Sequence, residues 1–148
     1  GDTRLTTRYR DEKFTDALYG TLHEAGHGLY EQGLPKAGSP EGLFGQPLSE
    51  AISLGIHESQ SRMWENLVGR SREFWSWALP LTTQYFGGAL SKATPDTMYR
   101  AVNTVKPSLI RVEADEATYN LHVMVRFELE RALLSGSMNV RDLPREWN

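Results

Sequence analysis

Apolar residues recur at helical spacing along most of the chain, and this pattern predicts five helices. In the first, residues 11–32, Leu18, Leu22 and Leu29 follow one another at intervals of four and seven residues on one face. The other helices are predicted over residues 49–68, 71–85, 94–106 and 107–135. Residues 2–9 (DTRLTTRY) alternate in character instead and predict a short edge strand. We therefore expect an all-α fold with at most a small N-terminal β element.

Composition and charge limit the class of protein. The chain has 148 residues, a net charge of −3 and no cysteine, which suits one domain with its own core. Charges of both signs are mixed, and no apolar run reaches the roughly 18 residues of a membrane span. We therefore expect a cytoplasmic protein with no nucleic-acid or membrane partner. Without thiolates, any metal ion must be bound by histidine and carboxylate side chains.

Both ends of the sequence are typical of a segment taken from a longer protein. The first residue is Gly1, and Pro144 with the residues after it matches the opening turn of a helix that does not continue. We expect residues 1–148 to be one domain of a larger protein, truncated at both ends. A natural C-terminus that frays is the alternative interpretation.

The pentapeptide His23-Glu24-Ala25-Gly26-His27 (HExxH), in the first predicted helix, gives the strongest chemical signal. One helical turn separates the two histidines, so both imidazoles project from the same face and can bind one metal ion. Glu24 lies close enough to polarise a water on that ion without being a ligand. This arrangement is typical of the catalytic centre of zinc peptidases.

Two glycines, Gly26 and Gly28, interrupt this helix beside the second histidine, and each lowers helix propensity by about 1 kcal/mol relative to alanine. Their lack of side chains lets a neighbouring backbone come close to the site. Simple tight packing against another helix explains them equally well, and both interpretations stay open.

A catalytic zinc site needs a third protein ligand and an open position for water. Glu58, in the segment His57-Glu58-Ser59-Gln60, is the best candidate because it follows the apolar run AISLGI, where an unpaired charge is costly. We expect the second helix to cross the first with Glu58 facing His23 and His27, as a zincin-like helix pair. The alternative is that Glu58 pairs with Arg62 one turn later on a solvated face.

Polar residues recur at helical spacing along the fifth predicted helix, beginning with Arg111 and Asp115. A guanidinium group binds a carboxylate through two parallel hydrogen bonds, so Arg111 is a candidate for binding the free C-terminus of a peptide. Asp115 would then hold Arg111 in place or brace a metal-bound imidazole. The alternative is a surface ladder of salt bridges between residues four apart.

Four motifs follow one another along the chain: DxRxT at residues 2–6, HExxH at residues 23–27, HES/GQ at residues 57–60 and IRxxADE at residues 110–116. Together they resemble the signature patterns of the carboxypeptidase Taq family of metallocarboxypeptidases (peptidase family M32). The resemblance extends over essentially the whole chain, including GLYEQGLP, KPSLIRVEADE and LPREWN. Four ordered motifs are far more specific than HExxH alone.

The resemblance implies a longer, largely helical, cytosolic enzyme that is commonly a homodimer and releases single amino acids from peptide C-termini with a Zn²⁺ or Co²⁺ ion. Carried over by position, the implied metal ligands are His23, His27 and Glu58, and the implied general base is Glu24. The implied substrate-binding residues are Arg111, Arg4 and His57. On this hypothesis the chain is the metal-binding core of the enzyme.

Two other hypotheses fit the same residues. An endopeptidase of the wider HExxH class would use the arginines only for structure. A catalytically incomplete segment would bind metal, or associate with itself through exposed apolar faces, without hydrolysing peptides.

Overall fold

Helices and turns make up the computed structural model, which describes residues 2–147 of the chain. Within these residues the α-helices are α1 (Phe14–Gly33), α2 (Leu54–Arg62), α3 (Arg72–Phe86), α4 (Pro95–Val102), α5 (Glu116–Leu134) and α6 (Leu143–Trp147). A π-helical segment (Met63–Val68) continues α2, and short 3₁₀ turns cover Pro47–Ser49, Gly87–Leu90, Arg111–Glu113 and Val140–Asp142. The described residues contain no β-strand, so the all-α prediction is confirmed.

The edge strand predicted over residues 2–9 is not formed. These residues are exposed and irregular, and the described part of the chain offers no second strand to share backbone hydrogen bonds with them. The segment lies along α1 instead, where Thr7 and Thr3 approach the helix at Gly20 and Gly28. The alternating pattern therefore belongs to a segment that packs on a helix rather than to a member of a sheet.

Capping side chains, rather than the apolar pattern, set the first turns of α2 and α5. The Ser53 hydroxyl accepts a hydrogen bond from the amide of Ile56, and α2 begins five residues later than predicted. The Asp115 carboxylate accepts hydrogen bonds from the amides of Ala117 and Thr118, and α5 begins nine residues later than predicted. The residues before each cap continue the apolar spacing but are not α-helical.

Contacts within the chain cluster into two compact units, one ending at Val102 and the other beginning at Asn103. In the first unit α1 packs against α2 and its π-helical continuation, and α3 packs against α4. In the second unit α5 packs against α6 and against the preceding 3₁₀ turn, and no residue of α5 is buried. The prediction of a single domain stays a prediction.

No helix of the described chain combines the length and apolar content that crossing a bilayer requires.

The hydrophobic core of the first unit joins α1, α3 and α4. Its buried members are Tyr19, Trp75, Ala78, Leu79 and Met98. The Tyr19 hydroxyl also donates a hydrogen bond to the carbonyl oxygen of Gly69 at 3.2 Å, and the Arg70 guanidinium lies 4.1 Å from the centre of the Tyr19 ring. These contacts fix the first turns of α1, and they thereby position the next turns, which carry the HExxH motif.

Candidate metal centre

Gly26 lets α1 and α2 come into backbone contact. A β-carbon at Gly26 would lie 2.5 Å from the Cα atom of Ser61 and 2.6 Å from the carbonyl oxygen of Gln60, so no other residue fits without a shift of the helices. A β-carbon at Gly28 would instead lie 2.7 Å from the Thr3 methyl group. Gly26 therefore serves tight packing of the two helices that carry the site, whereas Gly28 accommodates the N-terminal segment.

This helix crossing brings together the three side chains expected to bind metal. The Nε2 atoms of His23 and His27 are 3.2 Å apart. The Oε2 atom of Glu58 lies 3.4 Å from Nε2 of His27 and 3.7 Å from Nε2 of His23. All three residues are partly buried, and together they form a group of donor atoms spaced as metal ligands are.

The spacing of these donors fits a tetrahedral ion. Ligand atoms that lie about 2.0–2.1 Å from one tetrahedral centre are about 3.3–3.4 Å from each other. The three measured separations, 3.2, 3.4 and 3.7 Å, fall around that value. Two imidazoles and one carboxylate are also a donor set that suits Zn²⁺, and three protein ligands leave a fourth position for water or substrate.

The surroundings of Glu58 differ from the sequence-based expectation. Its side chain is 45% exposed, and the preceding apolar residues Ile52 and Leu54 are exposed as well. The predicted apolar setting of the Glu58 charge is therefore wrong. Glu58 faces the histidines because α2 crosses α1 at Gly26, and a run of apolar residues in the sequence does not reveal such a crossing.

The face of α1 that carries Glu24 is not the face that contacts α2 at Gly26. Glu24 shares its face with Gly20 and Gly28, each one turn away, along which the N-terminal segment passes. Glu24 is half-buried. Within residues 2–147 its carboxylate makes no hydrogen bond or ion pair with another side chain, so it is available to a water molecule or a substrate.

Glu65 is a further residue of the candidate site, and it was not predicted from the sequence. Its Oε2 atom accepts a hydrogen bond from Nδ1 of His23 at 2.9 Å, and its side chain is only 15% exposed. The guanidinium groups of Arg62 and Arg70 lie 3.0 and 3.7 Å from the same carboxylate. A signal was present, because Glu65 follows Glu58 by seven residues and therefore two helical turns on the same face.

Hydrogen bonding shifts the pKa values of His23 and Glu65 in opposite directions. The hydrogen bond to Glu65 raises the pKa of His23, although partial burial opposes this, and nearby carboxylate charges add to the rise. Burial alone would raise the pKa of Glu65, but the hydrogen bond from His23 and the charges of Arg62 and Arg70 outweigh burial and lower it. Glu65 is therefore an anion beside the imidazole that it contacts.

His57 lies beside the site and links it to a second carboxylate. Its Nδ1 atom is 2.6 Å from Nδ1 of His27, and its Nε2 atom is 2.8 Å from Oε1 of Glu31. A carboxylate accepts, so Nε2 of His57 donates to Glu31, and in a ring that carries a single hydrogen the Nδ1 atom then accepts from His27. This order of bonds leaves Nε2 of His27 unprotonated and facing Glu58. Both ring nitrogens of His57 thus have protein partners, and its role in substrate binding stays a prediction.

The two arginines expected to bind substrate have partners inside their own units. Arg4 donates from Nε to Asp2 at 2.9 Å, and its side chain is 89% exposed. In the second unit, the Arg111 guanidinium donates to the Tyr119 hydroxyl and lies 5.4 Å from the centre of that ring. Their roles in substrate binding stay predictions.

Asp115 is a helix cap in the second unit. Its Oδ1 atom accepts from the amides of Ala117 and Thr118, both at 2.9 Å, and its Oδ2 atom accepts from the amide of Lys106 at 2.8 Å. Arg111 and Asp115 both precede α5, so the predicted polar stripe along one helix is wrong at its first two members. The proposed bracing of a metal-bound imidazole by Asp115 stays a prediction, and Glu65 is the carboxylate that contacts His23.

Known proteins resemble the chain over its whole length. The sequence model of the carboxypeptidase Taq (M32) metallopeptidases matches residues 1–148. Thermostable carboxypeptidase 1 of Thermus thermophilus is 54% identical over 147 residues, which are 99% of this chain and 28% of that protein. The crystal structure of the M32 carboxypeptidase from Deinococcus radiodurans R1 is 56% identical, with a TM-score of 0.87 over 95% of this chain and 27% of that one. Trypanosoma cruzi metallocarboxypeptidase 1 is 42% identical, with a TM-score of 0.87 over 96% of this chain and 27% of its own.

These similarities place the helical fold among the metallopeptidases. The chain belongs to the carboxypeptidase Taq (M32) family, and the resemblance noted in the sequence is confirmed. The chain spans 28% of the length of the Thermus relative.

Proposed function

We propose that the chain forms the metal-binding and general-base part of a zinc-dependent carboxypeptidase, which releases single amino acids from the C-termini of peptides. The observation that carries this proposal is the convergence of His23, His27 and Glu58 donor atoms within 3.2–3.7 Å. Membership of the M32 family supports a peptide as substrate. The two imidazoles and one carboxylate suit Zn²⁺, and Co²⁺ is an effective substitute for such a donor set.

Glu24 is the proposed general base. A bound metal ion supplies Lewis-acid chemistry, which polarises the scissile carbonyl and makes water at the site more acidic. Glu24 takes a proton from that water while the water oxygen forms a bond to the carbonyl carbon. The C–N bond then breaks, and Glu24 gives the proton to the leaving amine. The absence of a competing ion pair on Glu24 within the described residues supports this role.

The proposed exopeptidase specificity requires a cation that binds the terminal carboxylate of the peptide. Arg111 and Arg4 are the candidates, because a guanidinium group matches the geometry of a carboxylate. Arg4 belongs to the segment that passes along the Glu24 face of α1, between the contacts at Gly20 and Gly28. Arg111 is a candidate by its motif alone. A homodimer and a cytoplasmic location are further proposals that rest on the family resemblance.

A catalytically incomplete metal-binding segment is the second candidate function. One observation favours it: the chain spans only 28% of the length of the Thermus carboxypeptidase. Under this alternative the residues of the metal centre bind an ion with the same donor atoms, but the chain alone does not hydrolyse peptides. Measuring metal content and peptide hydrolysis on the same preparation separates the two candidates.

The sharpest test of the proposal is Glu24→Gln in the intact protein, with Glu41→Gln as a control at an exposed loop position. Glu24→Gln should keep the metal content of the parent and lose peptidase activity by at least the roughly 10²–10⁴-fold that general acid–base catalysis contributes. Glu41→Gln should change neither. Undiminished hydrolysis by Glu24→Gln would remove Glu24 as the base.

A pair of peptides tests the exopeptidase part separately. One peptide has a free C-terminus, and its twin carries a C-terminal amide. A carboxypeptidase should release the last amino acid from the first and leave the second uncut, because the amide removes the charge that an arginine binds. Equal cleavage of both peptides would support the endopeptidase alternative instead.

A further inference from the structure

We propose that Glu65 is a positioning residue that fixes the tautomer and the orientation of the His23 ring, so that Nε2 of His23 is presented to a metal ion. The inference rests on the proposed metal site and adds to it a residue outside the ligand set. Glu65 supplies no donor atom to the ion, but it contacts the His23 ring that does.

The first support is geometric. Glu65 contacts Nδ1 of His23 at 2.9 Å, while Nε2 of the same ring faces His27 at 3.2 Å and Glu58 at 3.7 Å. Glu58, in α2, and Glu65, in its π-helical continuation, therefore face opposite edges of the His23 imidazole. Because a carboxylate anion can only accept, Nδ1 must carry the hydrogen and Nε2 of the neutral ring keeps its lone pair.

The second support is the construction around Glu65. A carboxylate that is only 15% exposed is costly unless it is paired. Arg62 lies one turn before it at 3.0 Å, and Arg70 follows at 3.7 Å. Arg70 is itself held by the carbonyl oxygen of Val102 and by the face of the Tyr19 ring in the core. Glu65 is thus anchored to the core of the first unit, and this anchoring is transmitted to His23.

The third support is the contrast with His27. The partner of His27 is the His57 imidazole, whose other nitrogen reaches a 52% exposed Glu31. Glu65 contacts its histidine directly, with a charge, and from a position that is only 15% exposed. We therefore expect Glu65 to contribute more to metal binding than any other side chain that does not itself supply a donor atom.

Metal affinity tests this role independently of turnover. In the intact protein, the affinity for Zn²⁺ and for Co²⁺ is measured by competition with a chromophoric chelator, and the visible absorption of the Co²⁺ form is recorded. Glu65→Ala should lower both affinities by about 10- to 100-fold, and it should shift the Co²⁺ absorption because the ring is no longer held. Glu65→Gln, which keeps an acceptor without the charge, should cause a smaller loss.

Two further variants separate this proposal from the proposed function. Glu73→Gln, at an exposed position of α3, should bind metal as the parent does. His23→Ala should abolish tight binding. If His23→Ala abolishes binding and Glu65→Ala leaves both the affinity and the Co²⁺ spectrum unchanged, the positioning role is overturned while the metal site stands. If His23→Ala binds metal as tightly as the parent, the metal site itself is overturned.

A direct observation covers the case in which Glu65→Ala fails to fold. Nitrogen NMR of the metal-free parent protein, at alkaline pH where the rings are neutral, reports which nitrogen of each histidine carries the hydrogen. His23 should be protonated at Nδ1, and Glu65→Gln should increase the share of the Nε2-protonated form. Predominant protonation of Nε2 in the parent would overturn the proposal.

Discussion

The candidate metal centre in the first unit and the polar residues before α5 in the second unit differ in the separation of their partners along the chain. His23 meets Glu65 across 42 residues, and His27 meets His57 across 30. In the second unit Arg111 meets Tyr119 only eight residues later, and Asp115 accepts from an amide nine residues earlier. The first network joins two helices, whereas the second stays within the start of α5 and the ten residues before it.

This difference follows from packing. Partners that are distant in sequence can be held at hydrogen-bond distance only where both elements are fixed, and α1 is fixed by Tyr19 in the core and by Gly26 against α2. No residue of α5 is buried, so its neighbouring polar groups bond to what the local chain offers. We conclude that helix packing holds the network of the first unit together, and that the bonds of Asp115 serve to start a helix.

Removing a proposed metal ligand should have the largest effect on metal binding. His27→Ala or Glu58→Ala should lower Zn²⁺ affinity by more than the roughly 10- to 100-fold that loss of a hydrogen-bonding partner behind a ligand costs. The reason is that a site with three protein donors keeps only two. Chelator competition on the intact protein measures the change.

Arg111→Ala is the matched variant from the second unit. It should leave metal affinity unchanged and raise KM for peptides with a free C-terminus, since its proposed role is to bind that carboxylate. A loss of metal affinity as large as that of Glu58→Ala would contradict the division of roles between the two units.

Replacing Gly26 should have the next largest effect, on stability. Gly26→Ala places a methyl group 2.5 Å from the backbone of α2, so the helices must separate, and we expect a loss of about 1–3 kcal/mol in the free energy of unfolding. Gly33→Ala is the control at the end of the same helix, because a β-carbon there meets no atom within 4 Å. Denaturant unfolding should show Gly33→Ala to be no less stable than the parent, and equal stability of the two variants would refute the close contact at Gly26.

The fold was largely predictable because helices depend on short-range pattern. The spacing of Leu18 and Leu22 gave α1 nearly its observed length, and the cap residues Ser53 and Asp115 could have corrected the starts of α2 and α5. The predicted strand failed because alternation describes one segment, whereas a strand needs a partner. Nothing in residues 2–9 indicates that they lie on a helix.

The site was predictable only where one motif contains its members. His23 and His27 are one turn apart, so their common face follows from helix geometry. Predicting the position of Glu58 required the correct crossing of α1 and α2. Gly26 was a signal for that crossing, but it had two interpretations. Glu65 was missed because the approach of a carboxylate to the far edge of an imidazole depends on the π-helical continuation of α2 and on two arginines, and spacing does not rank such residues.

Replacing His57 should have a smaller effect than replacing a ligand. His57→Ala removes the acceptor for Nδ1 of His27 and separates that ring from Glu31. We expect metal affinity to fall by about 10-fold, the lower end of the range for such partners, because the partner of His27 is an imidazole rather than a carboxylate. His57→Gln should restore part of the loss through its amide oxygen. An unchanged affinity in His57→Ala would show that His27 needs no partner behind it.

The smallest expected effect is the acid titration of the cap at Asp115. It tests whether Asp115 in the second unit serves to start α5. Amide hydrogen bonds from Lys106 first, and then from Thr118 and Ala117, hold the pKa of Asp115 below its ordinary value of 3.8. A lowered pKa in the folded state means that the cap stabilises α5 at higher pH and loses this contribution as pH falls through the folded pKa. The amide NMR signals of Lys106, Ala117 and Thr118 should therefore shift together below pH 3.8.

Asp115→Asn should remove this titration and keep the cap, because asparagine also caps helices well. If these amides titrate together at a pH above that value, the cap does not hold the carboxylate as described, and Asp115 becomes available for the role beside an imidazole that its spacing suggests.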